Sequence, residues 1–221
     1  MPVSIETGRM LLRRMTGGDL DWLARLHGDG RVMRYIDDGE PVPRAEIAAR
    51  TLPAMLREYD ELPAGLGYFA AVERATGGPL GWIGLRPPDS VGLCPPANTG
   101  LCPPANTGLC PPANTGLRPP AGVAELGYRL LPEVWGLGYA TEGARALIRH
   151  GFASLDLTSI VATTMTLNLA SRRVLEKAGL SLARTFLAVW PSYLEGAEHG
   201  DVEYAIVRSA WRERQLPAEL A

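Results

Sequence analysis

Glu125-Leu126-Gly127-Tyr128-Arg129-Leu130-Leu131-Pro132-Glu133-Val134-Trp135-Gly136-Leu137-Gly138-Tyr139-Ala140-Thr141-Glu142 is the stretch from which the rest of the chain can be read. Residues 124–130 read as a strand. Residues 140–153 carry Ala140, Ala144, Leu147, Ile148, Gly151 and Phe152 at steps of three and four, one face of an amphipathic helix. Gly136 and Gly138 at the junction let backbone N–H groups face outward at the positive end of the helix dipole, where an anion such as a phosphate or pyrophosphate fits. A tight turn without a ligand is the competing reading of the two glycines alone. No Gly-Lys-Ser/Thr follows, so this is not a P-loop, and the third glycine of a dinucleotide-binding fingerprint is out of register.

Outward from this junction the periodicity alternates between two and 3.6. Residues 9–14 predict a strand, 18–27 a helix, and 44–59 a second helix starting after Pro43. Strands follow over 67–73, 80–85 and 124–130, the first two joined by Thr76-Gly77-Gly78-Pro79, a hairpin signal. Beyond the helix at 140–153 come a strand at 160–165, a helix at 168–178, and strands at 182–189 and 202–207. Asn168 is placed as N-cap of that last helix and Gly179 as its C-terminal stop. The order predicts an α+β layered domain with a mixed sheet.

Composition narrows the function classes. The chain has 221 residues, 22 Lys and Arg against 24 Asp and Glu, and a net charge of −2. Neither sign forms a long run, which argues against nucleic acid as a partner. No stretch reaches the roughly 18–20 apolar residues of a membrane span, and the N-terminus lacks a signal-peptide layout, so a cytoplasmic protein is expected. The octad Gly-Leu-Cys-Pro-Pro-Ala-Asn-Thr occurs three times, at 92–99, 100–107 and 108–115, bracketed by Gly84-Leu85-Arg86-Pro87-Pro88 and Gly116-Leu117-Arg118-Pro119-Pro120. We read 1–221 as one domain with 84–122 as an octapeptide-repeat insertion between two strands. The insertion is either an expanded surface loop or a short stacked coil with a ladder of Leu93, Leu101, Leu109 and Leu117. All three cysteines, Cys94, Cys102 and Cys110, lie inside the array with no histidine between them, so neither a disulfide nor a metal is expected.

The 125–142 run, together with Asn168-Leu169-Ala170-Ser171-Arg172-Arg173-Val174-Leu175-Glu176-Lys177-Ala178-Gly179, closely resembles the GNAT superfamily of N-acetyltransferases. Glu6-Thr7-Gly8-Arg9-Met10-Leu11-Leu12-Arg13 and Asp201-Val202-Glu203-Tyr204-Ala205-Ile206-Val207-Arg208 are similar to the branch containing the Rim-type ribosomal-protein N-terminal acetyltransferases. The resemblance covers nearly all of the chain outside the octads. It implies a twisted, mostly antiparallel sheet flanked by helices, acetyl-CoA as cosubstrate, no metal, and a primary amine as acceptor, either a protein N-terminus or a small molecule. The family's pyrophosphate loop falls on Glu133 to Gly138. The resemblance therefore implies that Trp135 and the amides of Gly136, Gly138, Tyr139, Ala140 and Thr141 hold acetyl-CoA. Glu133 departs from the usual Gln or Arg, and a carboxylate beside a pyrophosphate repels it, so it is expected to point away. Asn168 would contact the pantetheine arm or acetyl group, besides capping its helix, and Ser171 would sit near the CoA sulfur.

Direct attack of an amine on a thioester calls for a base and for a donor to the departing thiolate. Glu125 is the candidate base, with a solvent-facing strand residue as the alternative. Its usefulness depends on apolar surroundings that raise its pKa. Ser171 is the candidate acid, with Tyr139 or Tyr128 as substitutes. The acceptor side is expected around Trp22, residues 31–40 and 190–199, with Tyr35, Trp190 and Tyr193 near the amine and Asp37, Asp38, Glu40, Glu195 and Glu198 favouring a cation. The histidines, His27, His150 and His199, form no triad. Two other readings stay open: a catalytically weak acyl-CoA-binding module, suggested by Glu133 and the expanded loop, and a scaffold that self-associates, as a homodimer for instance, through the octads.

Overall fold

A computed structural model describes residues 3–88, 122–188 and 194–214. The octads with their three cysteines, and Trp190 and Tyr193, lie outside the described residues. Among the described residues eight strands form one sheet: β1 (Ile5–Glu6), β2 (Met10–Arg14), β3 (Gly67–Glu73), β4 (Pro79–Arg86), β5 (Val123–Leu130), β6 (Ser159–Met165), β7 (Ser181–Phe186) and β8 (Asp201–Val207). Their order is β1-β2-β3-β4-β5-β6-β8-β7, and each neighbouring pair is antiparallel except β5 with β6. The mixed, mostly antiparallel sheet is the one expected. The parallel pair is short. Val123, Ala124 and Glu125 pair with Ser159, Ile160 and Val161, and beyond them the two strands part.

Helices cover both faces. On one lie α5 (Tyr139–Ser154), the crossover from β5 to β6, and α6 (Leu169–Ala178). Ala144, Leu147, Ile148 and Phe152 of α5 pack there on Met10, Leu12, Ile83, Leu85, Ala124 and Leu126. On the other face lie α1 (Leu20–His27), α2 (Gly30–Met33), α3 (Arg44–Glu46) and α4 (Leu52–Glu61). Leu23, Leu26, Ile47, Leu52 and Met55 there enclose Ala70 and Trp82. A last short helix, α7 (Arg208–Glu213), lays Trp211 against Phe152, ring centroids 5.5 Å apart. None of the helices described is long and apolar enough to cross a membrane.

Three elements escape the sequence reading: β1 and α2 are too short for a periodic signal, and α7 follows β8 without a turn residue. The helix expected over 44–59 runs without a gap from Arg44 to Glu61 but changes its winding on the way. Between α3 and α4 runs a π turn, Ile47–Thr51, in which the Leu52 N–H donates to the Ile47 carbonyl. Pro53 explains it: proline has no N–H to give and its ring collides with the carbonyl four residues back, so the chain widens by one residue before it. The final-hairpin strand β7 stops at Phe186, short of the expected 189.

Candidate active site

A cleft of about 590 Å³ opens between the α1–α4 layer and the sheet, and reaches the point where β5 and β6 part. The strand register makes its floor. Three cross-strand pairs of β4 and β5 face it: Trp82 with Arg129, Gly84 with Gly127, and Arg86 with Glu125. Alternate residues of a strand share a face, so 125, 127 and 129 stand together, with no side chain in the middle row. The other residues of β5 behave oppositely, Ala124, Leu126 and Leu130 entering the core under α5.

Glu125 is 7% exposed, which overturns the solvent-facing alternative. Burial pushes its pKa up to about 8. The Arg86 guanidinium pulls it down, and the Glu203 carboxylate adds to the rise. Arg86 is held by Glu58 of α4, its Nε–H donating to Oε2 at 2.9 Å, and Arg184 holds Glu203 at 2.9 Å. Each neighbouring charge thus has an ion-pair partner other than Glu125, and desolvation dominates at Glu125.

Ser171 and Asn168 line the same cleft from the start of α6. Asn168 caps that helix, its Oδ1 accepting from the Ser171 N–H at 3.1 Å. The Ser171 hydroxyl lies 2.9 Å from the Tyr128 hydroxyl, and burial holds the Tyr128 phenol well above its ordinary pKa. Tyr128 is therefore the substitute donor that the structure brings to Ser171. Tyr139 is not: it lies outside the cleft lining, and its hydroxyl donates to Glu73, beside the Arg9 guanidinium.

The Gly136 to Thr141 loop does not line this cleft. Gly136 has φ +77° and Gly138 φ +86°, left-handed conformations that strain any residue with a Cβ, and Gly138 opens α5. Among the described residues no side chain caps this helix start, which leaves the first-turn amides of Tyr139, Ala140 and Thr141 without a capping acceptor. Gly138 and Thr141 instead border an open basin, with Arg9, Arg145, Arg149 and Lys177 against the carboxylates of Glu6 and Glu142. Arg9 ties the loop down, its Nη1 donating to the Leu137 carbonyl at 2.9 Å and its Nε to Glu142 at 2.7 Å. Trp135 is fixed by donation from its indole N–H to the Leu130 carbonyl at 2.7 Å. Glu133 is exposed and its charge is felt by Arg31. Among the described residues no group of three or more His, Cys, Asp and Glu could hold a metal.

On the acceptor side, Tyr35 and Asp37 do line the cleft. Trp22 does not: its indole N–H donates to Asp19 at 2.8 Å and it packs into the second core. Asp38, Glu40, Glu195 and Glu198 are likewise absent from the lining. Sequence reasoning missed Arg86, Arg129, Glu58, Glu203 and His27. The step of two from Glu125 through Gly127 to Arg129 was the available signal for one of them, whereas the others depend on which strands and helices become neighbours.

A family model described as Acetyltransferase (GNAT) domain matches residues 9–181. The chain is 42% identical over 94 residues to the FsC-acetyl coenzyme A-N(2)-transacetylase of Aspergillus fumigatus, a match spanning 42% of this chain and 40% of that protein. It is 25% identical over 209 residues to the uncharacterized N-acetyltransferase YoaA of Bacillus subtilis, covering 92% and 96% of the two. Among solved structures, the RimL ribosomal L7/L12 alpha-N-protein acetyltransferase in complex with coenzyme A superposes with a TM-score of 0.66 at 16% identity, over 94% of this chain and 99% of that one.

Proposed function

The chain belongs to the GNAT acetyltransferase family, and from that premise we propose that it transfers the acetyl group of acetyl-CoA to a primary amine, on a protein N-terminus or a small molecule. The observation that carries this reading is the convergence of Glu125, Tyr128 and Ser171 on one cleft where β5 and β6 part. When bound, acetyl-CoA supplies an acyl carbon activated as a thioester. The uncapped amides after Gly138, and the excess of cations in the basin beside them, suit its pyrophosphate. β6 gives β5 no sheet partner beyond Glu125, which leaves room for the pantetheine arm between the strands, with Asn168 and Ser171 at its end.

An ammonium cannot attack, and Glu125 is suited to take its proton. A carboxylate with a pKa near 8 is far closer in basicity to an alkylamine than an ordinary one. The amine nitrogen then bonds to the acyl carbon as the carbon–sulfur bond breaks. The departing sulfur takes a proton from the Ser171 hydroxyl, and the second proton that the nitrogen sheds on becoming an amide is returned to the Ser171 and Tyr128 hydroxyl pair, 2.9 Å apart, so that both end neutral.

Calorimetric titration with acetyl-CoA tests the donor site. The unaltered protein is expected to bind, and the Gly136→Val/Gly138→Val variant to lose binding, because valine is excluded from both left-handed conformations. Release of CoA thiol across an amine panel tests transfer. Absence of acetyl-CoA binding by the unaltered protein would sink the proposal, and binding without thiol release from any amine would leave an acyl-CoA-binding module.

A further inference from the structure

Arg129 is 16% exposed by its side chain and lines the cleft at the end remote from Glu125. Among the described residues no carboxylate is within hydrogen-bond distance of its guanidinium. Asp37 of the Tyr35 to Gly39 turn is the nearest carboxylate, at 3.9 Å, beyond hydrogen-bond reach and on a side chain 71% exposed. The remaining contacts are the Met33 sulfur at 3.7 Å, the Trp82 ring at 5.6 Å and the His27 ring, whose Nδ1 lies 3.3 Å from Nη1. The Trp82 indole N–H points at the other nitrogen of the same imidazole, Nε2, at 3.4 Å. His27 is buried and held neutral, so it has one accepting nitrogen, and it cannot accept from both Arg129 and Trp82. Among the described residues a guanidinium with five donors thus has the Met33 sulfur, at most one neutral imidazole nitrogen and a carboxylate held at 3.9 Å. Removing such a charge from water without a close counter-charge is costly, and the cleft beside it is open.

We infer that Arg129 receives a carboxylate carried by the acceptor itself, so that the substrate class is an amine joined to a carboxylate through a spacer of several bonds. The inference rests on Glu125 receiving the amine, as proposed above. The spacing follows from the strand. Residues 125 and 129 are four apart on one face, roughly 13 Å along β5, and about 3 Å of hydrogen bond at each end leaves about 7 Å between amine and carboxylate. Gly84 and Gly127 contribute no side chain of their own there, and the Tyr68 and Trp82 rings lie over them, a Cβ at Gly84 reaching Tyr68 at 3.5 Å and one at Gly127 reaching Trp82 at 3.6 Å, so the spacer would run across an aromatic surface. An α-amino acid is too short to reach both ends; 6-aminohexanoate spans them. A single negative charge suits the place better than a dianion, because Asp37 and Glu46 also border the cleft.

The test compares binding of 6-aminohexanoate, its neutral amide 6-aminohexanamide, and glycine by calorimetry on the full chain with CoA present. The unaltered protein is expected to hold 6-aminohexanoate about tenfold or more tighter than the amide, the scale of a charge-assisted bidentate contact, and to hold glycine more weakly than 6-aminohexanoate. Arg129→Gln should abolish the preference and Arg129→Lys retain part of it, with thermal unfolding of each variant reporting that it is folded. A preference below fivefold in the unaltered protein, a preference that survives in a folded Arg129→Gln, or glycine binding as tightly as 6-aminohexanoate overturns the inference. None of these readings needs turnover, so failure of the transferase reading, seen as no thiol release from any amine, stays separate from failure of this one.

Discussion

Glu125 owes its basicity to the burial of a carboxylate on the cleft face of β5, and that burial is measurable in two ways. Its pKa in the fold is about 8 against an ordinary 4.5, so the folded chain holds the proton more tightly than the unfolded one between those values. The sign of the linkage follows: the stability is fully present below about pH 4.5, declines as pH rises, and levels off above about 8. Chemical denaturation across this window is expected to show a loss of up to about 1.4 kcal/mol per pH unit that Glu125→Gln removes. If Glu125 is the base as proposed, turnover is expected to rise with pH through about 8, and Glu125→Gln to cost about 10²- to 10⁴-fold in kcat/KM and abolish that rise. A pH–rate profile unchanged in the variant would remove Glu125 from the role of base. The residue type and position were legible in the sequence. The burial that raises its pKa was not, since it comes from β4, β8 and α4 closing on β5.

At the scale of elements, the seating of α5 on the sheet sets where the loop of Gly136 and Gly138 stands. Gly143 permits that seating: a Cβ there would lie 2.0 Å from Cδ1 of Ile83 and 3.3 Å from Cε of Met10, both fully buried. Alanine would gain about 1 kcal/mol of helix propensity, but the overlap forces the core apart at a cost of about 1–3 kcal/mol. Gly143→Ala is therefore expected to destabilise the protein by up to about 2 kcal/mol, read from urea unfolding; a more stable variant would show that α5 can shift outward freely. The helix itself was legible from its 3.6-residue period, and its stop at Ser154 agrees with the expected end to within one residue. The π turn between α3 and α4 was not read, although Pro53 signals it, because its effect depends on the chain continuing as helix on both sides of the proline.

At the scale of the molecule, the described cleft is built by residues outside the octads. β4 and β5 pair from Gly81 with Leu130 as far as Arg86 with Glu125, and the repeat array lies wholly between Arg86 and Val123. Deleting residues 87–118, four octads' length, rejoins Arg86 to Pro119-Pro120-Ala121-Gly122 and leaves each of these pairs in place. The deletion variant is expected to keep the unfolding midpoint and the acetyl-CoA affinity of the full chain. Loss of either would show that the array supports the cleft, and a lowered oligomeric state in sedimentation would favour the self-associating scaffold.

The sequence by itself determined the α+β order of elements, the strand-to-helix junction with its two glycines, and the identities of Glu125, Ser171 and Asn168 as candidate site residues. These depend on local periodicity, backbone permissiveness and helix capping, which act between residues a few positions apart. Only the tertiary structure decided that Glu125 is buried, that Tyr128 rather than Tyr139 meets Ser171, and that Arg129 faces the cleft without a close carboxylate. Those outcomes depend on desolvation and on charges brought from segments far apart in the chain. Such interactions have no period in the sequence and arise only when the sheet aligns β4 with β5 and parts β5 from β6.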